Sequence, residues 1–154
     1  MTVQQREFVV FAALTAAGKD PDVGRIRIKR GFHATVEDTP TGRRLVAQRG
    51  DQHVVLTRYS ATQKPPASYP NDLPFVPMLT AWLTATDHVA ATWVDITSPD
   101  ELAATLTARF VAEGWSAESA LFMKRWKITV FRHDTMRRTL YWGSRQLLLY
   151  DSPA

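Results

Sequence analysis

The chain has 154 residues, 45% of them hydrophobic and 22% charged, with no cysteine and a formal net charge of +4. That length suits a single domain whose core folds without covalent staples, and the apolar fraction excludes a disordered chain. Lacking cysteine, the protein has no disulfide, thiolate metal site, iron–sulfur cluster or cysteine nucleophile.

From the N-terminus, residues 3–17 read as a helix, with Gly18 as its C-cap and Lys19-Asp20-Pro21-Asp22 as the exit turn. The apolar stretch Phe8 to Ala17 has the composition of a leader core. However, Arg6 is offset by Glu7, and so short a run cannot span a bilayer, so a buried amphipathic helix in a cytoplasmic protein is the expectation. Arg25-Ile26-Arg27-Ile28-Lys29 alternates as a strand does, and Phe32, Ala34 and Val36 continue the alternation to Glu37-Asp38. Turns at Thr39-Pro40-Thr41-Gly42 and Arg49-Gly50-Asp51 separate strands at 43–48 and 53–59, which together form an antiparallel meander.

Residues 64–77 hold five of the nine prolines. They read as an ordered loop between two halves of one domain, pinned on the core by Tyr69 and Phe75, because proline cannot join a ladder. Residues 77–87 read as a short helix that buries Met78, Leu79, Trp82 and Leu83, and 90–96 as a strand. Ser98-Pro99-Asp100-Glu101 has the form of a capping box with proline at the first helical position. It opens a helix over 99–113 that carries Leu102, Leu106 and Phe110 on one side and stops at Gly114. Residues 117–123 fit a short helix or the start of a strand.

Charge is unevenly placed. Residues 1–114 carry 12 basic and 12 acidic side chains, whereas residues 115–154 carry seven basic and three acidic ones with seven of the 16 aromatics. This segment reads as a three-stranded meander, with a turn at Asp134-Thr135-Met136 and a two-residue turn at Gly143-Ser144. The expected register puts Trp126, Ile128, Val130, Leu140, Trp142, Leu147 and Leu149 on a core face. It puts Arg125, Lys127, Thr129, Phe131, Arg137, Thr139, Tyr141, Gln146, Leu148 and Tyr150 on the solvated one.

A sheet face of cations and rings suits single-stranded DNA or RNA: Arg and Lys attract phosphate, and Phe and Tyr stack bases. The expected contacts are Arg125, Lys127, Arg132, Arg137 and Arg138 to phosphate, with Phe131, Tyr141 and Tyr150 stacking. The leading expectation is therefore a non-enzymatic nucleic-acid-binding protein of α+β fold, its antiparallel sheet packed by the N-terminal helix and the helix near 99–113. A second reading docks the same face on a protein partner or a second copy. A third is a small hydrolase or nuclease using His133 or His53, which a deep pocket of converging titratable groups would support.

Other motifs carry little. His33, His53, His88 and His133 lack metal-ligand spacing, so no metal or cofactor is expected. Arg49-Gly50-Asp51 is turn chemistry, and the carboxylates of Glu37-Asp38 should diverge to opposite faces of a strand. Phosphate-binding glycine loops and the Gly-x-Ser-x-Gly elbow are absent.

Overall fold

A computed structural model describes residues 33–39, 42–58, 64–65, 67, 69–76, 78–86, 88–123, 126–143 and 145–154. The expected N-terminal helix, the strand at 25–29 and Arg125 lie outside the described residues. The fold is α+β and built on antiparallel sheet. Its strands are β1 (His33–Thr39), β2 (Gly42–Arg49), β3 (Gln52–Arg58), β4 (Leu79–Ala85), β5 (Val89–Asp95), β6 (Ser116–Met123), β7 (Trp126–His133), β8 (Met136–Gly143) and β9 (Gln146–Pro153). Among the described residues one helix, α1 (Pro99–Ala112), connects β5 to β6.

The strands form one nine-stranded sheet in the order β1-β2-β3-β4-β5-β9-β8-β7-β6. Two meanders therefore meet at the β5–β9 pair, where Ala91 faces Tyr150 and Trp93 faces Leu148. Helix α1 carries the chain from β5 to the far edge, and the second meander returns to close against the first. The halves on either side of the proline-rich loop thus share a sheet.

Both sheet faces are packed. On the first, Phe110, Leu106 and Ala103 of α1 cover Phe131, Leu140, Leu147, Leu149, Val94 and Trp82. Phe110 meets Phe131 edge-on, with centroids 5.3 Å apart and planes at 84°, an arrangement worth about 0.5–1.5 kcal/mol beyond its buried area. The second face buries Leu45, Val54, Leu56, Leu83, Ala91, Trp93 and Tyr150.

Two local expectations change, and one left open is decided. In place of the expected helix, Leu79–Ala85 form strand β4, which is buried on both faces and carries a register irregularity between Leu79 and Ala81. That bulge brings Leu79 onto the face of Trp82, while Ala81 and Leu83 take the other, so a buried strand imitates helical spacing. Met78 stays exposed. Ser98 makes no side-chain cap bond, although Pro99 opens α1 as expected and Gly114 ends it at φ +96°. Residues 117–123 belong to strand β6.

The remaining change concerns the C-terminal register. His133 pairs with Met136, so the β7–β8 loop has two residues, and Asp134 takes the left-handed φ of +53°. The three-residue turn expected from the sequence differs by one position, and one position inverts every side chain of a strand. Lys127, Thr129 and Phe131 therefore share the first face with Trp142, Leu140 and Arg138, and Ile128 and Val130 share the second with Tyr141 and Thr139. At the next turn Gly143, expected within the turn, pairs with Gln146 instead, which slides the pairing by two positions and so leaves the expected faces of β8 and β9 unchanged.

Candidate binding cleft

The corrected register disperses the expected nucleic-acid face. Phe131, Arg138 and Tyr150 are 0%, 2% and 5% exposed and sit in the core, not on an open platform. Lys127 Nζ bonds Asp100 Oδ1 at 2.9 Å, and Arg132 Nε approaches Glu118 Oε1 to 2.7 Å, so two further cations already face carboxylates. Arg137 is half-buried on the second face beside Arg132, and Tyr141 packs half-buried against the core of that face.

What the fold assembles instead is a cleft of about 1030 Å³ at one end of the first face. Pro65, Ala67 and Tyr69 to Phe75 of the proline-rich loop form one wall, and the end of α1 with Trp115 forms another. The β4–β5 tip around His88 and the β7–β8 tip with His133, Thr135 and Met136 complete it. Prolines hold the loop off the ladder, while Tyr69 is buried against Phe75 and Trp82 at centroid distances of 5.4 and 5.6 Å. The Tyr69 hydroxyl donates to the Pro74 carbonyl at 2.7 Å, and burial pushes its pKa up to about 12.

Within the lining lies a buried ion pair. Arg138 and Asp151 are register partners on β8 and β9. Arg138 donates from Nε to Asp151 Oδ1 and from Nη2 to Oδ2, both at 2.8 Å, and from Nη2 to the Asp72 carbonyl at 3.0 Å. The last bond ties the proline loop to the sheet. The guanidinium carbon lies 4.6 Å from the Phe110 ring centroid and 4.2 Å from that of Trp115, a stacking geometry available to the planar arginine head. Burial raises the Asp151 carboxyl above its ordinary range; the Arg138 bonds and charge oppose the shift, and nearby Asp72 adds to it.

Trp115 also meets the His133 ring at 5.3 Å. At the rim, Arg109 Nε bonds Glu113 Oε1 at 2.8 Å across one helical turn. The cleft therefore offers rings, prolyl surface and a carboxylate, with most of its charges already paired. A histidine–hydroxyl contact, Thr86 Oγ1 to His53 Nδ1 at 3.3 Å, lies exposed and outside the cleft lining. Among the described residues no three His, Asp or Glu side chains group to hold a metal ion, and no helix is long and apolar enough to cross a membrane.

Arg138, expected at a surface, is thus buried, and Trp115, Asp72 and Asp151 join it without having been marked by any motif. A signal existed: Asp151 follows the apolar run Leu147-Leu148-Leu149-Tyr150, and an acid inside such a strand needs a buried cation. Compared with known protein families, curated proteins and solved structures, the chain finds no match.

Proposed function

We propose that this protein is a non-enzymatic binding module whose partner occupies the cleft between the proline-rich loop and the β7–β8 hairpin. The carrying observation is a roomy, ring-lined cleft whose cations are committed to internal carboxylates, Arg138 to Asp151 and Arg109 to Glu113. Binding sites of this kind combine apolar walls with a few fixed polar groups. Committed charges hold the walls in place and are poor proton shuttles, which favours recognition over acid–base chemistry.

Backbone and indole resonances of the labelled protein, titrated with a set of neutral aromatic amides, test the reading. Shifts should concentrate at Trp115, Phe75, Thr135 and His88. Shifts scattered over the sheet edges, or none at millimolar ligand, would sink it.

A second reading keeps single-stranded nucleic acid as partner. It is favoured by Arg137, which lies beside Arg132 on the second face and makes no ion pair among the described residues, whereas Arg132 is held by Glu118. Titration with oligothymidylate across a salt series separates the two. Binding that weakens steeply with salt, with shifts at Arg132 and Arg137, would favour nucleic acid.

A further inference from the structure

We infer that the occupant of the cleft is a short basic peptide segment, held through a backbone carbonyl and one Lys or Arg side chain. The inference rests on the cleft being the binding site. Three observations select this ligand.

The first is charge. With Arg138–Asp151 and Arg109–Glu113 set aside, the carboxylate left on the lining is Asp72, whose side chain makes no ion pair among the described residues. Before a ligand arrives the cleft carries surplus negative charge, so a cation is attracted and a phosphate or carboxylate is not.

The second is the unfilled edge of a buried guanidinium. Arg138 uses Nε and Nη2 on Asp151 and the Asp72 carbonyl, and Nη1 has no acceptor among the described residues. Asp151 already neutralises this arginine, so a neutral amide carbonyl suits the remaining donors better than a second anion.

The third is surface. Phe75 is half-buried on the lining, and such a ring accepts the aliphatic stem and cationic head of a lysine or arginine. The chain demonstrates the mode itself, with Arg138 laid on Phe110 and Trp115. A peptide supplies carbonyl, cation and apolar surface together, and the volume of about 1030 Å³ accommodates several residues.

Fluorescence polarisation with labelled octapeptides, each carrying one Lys or Arg beside a Leu or Phe, tests the inference against the same peptides with Gln at the basic position. The cationic set should bind about fivefold tighter, near the upper range for one exposed ion pair. The preference should vanish in Asp72→Asn, which alters an exposed carboxylate with no structural partner among the described residues. Equal binding of both sets at the cleft would overturn the basic character and leave the cleft reading intact. Failure of every peptide, while neutral aromatic amides still shift Trp115, would overturn the peptide alone. Silence towards both would overturn the cleft as well. Oligothymidylate outcompeting every peptide would also overturn it.

Discussion

The first sheet face carries two cation–carboxylate pairs near opposite ends of α1, and their differences are instructive. At the start of the helix, Asp100 Oδ1 accepts Lys127 Nζ and Trp142 Nε1, each at 2.9 Å, in open solvent. Beyond its end, Arg138 grips Asp151 with both partners nearly inaccessible, their side chains 3% and 7% exposed. The hydrogen-bond lengths are alike, yet the two carboxyls shift in opposite directions. Bonds from Lys127 and Trp142 hold Asp100 below its usual range, whereas burial drives Asp151 above its own despite the arginine. Desolvation, not contact distance, decides what such a pair contributes.

The largest expected effect breaks the buried pair from the arginine side. Arg138→Met leaves Asp151 buried without its cation and should cost about 3–5 kcal/mol in urea unfolding. The deficit should shrink towards acid pH, where Asp151 takes up a proton. Asp151→Asn should cost a comparable amount, because it leaves the buried guanidinium of Arg138, which cannot shed its charge, without its carboxylate. Adding Asp151→Leu to Arg138→Met should recover most of the loss, since no buried charge is left unpaired. If the double variant is as unstable as the single one, desolvation is not the governing cost.

Next in size is an alkaline effect from the loop that flanks the buried pair. Tyr69 ionises near pH 12 in the folded protein against 10 for an ordinary phenol. Between these values the folded state holds a proton that the unfolded state has lost, so stability falls as pH rises. The loss from this group reaches about 2–3 kcal/mol when both states have ionised. Tyr69→Phe should remove that part of the alkaline slope, although it also forfeits the bond to Pro74. Stability curves for wild type and variant that run parallel from pH 9 to 12 would show that Tyr69 is not held neutral by burial.

How much of this contrast the sequence reveals depends on how locally each feature is determined. The β2–β3 hairpin is legible because Gly50, at φ +57°, and Asp51 mark its turn and the flanking runs alternate. Helix α1 is legible from Pro99 and the spacing of Leu106 and Phe110. Strand β4 is not, since burial on both faces and one bulge erase its period of two. The candidate site is the least legible part, because its outcome hangs on a single turn residue. Counting Met136 in the turn sends Phe131 to solvent, whereas the His133–Met136 pair sends it under Phe110. The Arg138–Asp151 pair joins neighbouring strands that the sequence does place together. What hides it is the cover over the arginine, because Phe110 and Trp115 arrive from the helix and its exit.

The pH dependence of the two carboxylates supplies a further test, and its signs differ. Asp151 has a raised pKa, so its contribution is complete at acid pH and is lost as pH rises through the raised value. Asp100 has a lowered pKa, so its contribution is present above the ordinary aspartate range and is lost as pH falls. Stability of Asp151→Asn relative to wild type should therefore improve with rising pH across the acid range, while that of Asp100→Asn should worsen. Slopes of the same sign would remove the distinction between a buried and an exposed pair.

The smallest effect is expected at the exposed end. Asp100 lies in the first turn of α1, where a negative charge also meets the positive end of the helix dipole. Its partners stand in water, and salt screens both the Lys127 bridge and the dipole term. Replacing Lys127 with Gln removes the bridge and leaves Trp142 Nε1 as a donor to the same oxygen. Unfolding of Lys127→Gln should thus differ from wild type only at low ionic strength, and should coincide with it in half-molar salt. A deficit that persists in high salt would mean that Lys127 acts through its aliphatic stem, packed on the sheet face it shares with Trp142. In that event the exposed end of the face, like the buried one, would be held by packing as much as by charge.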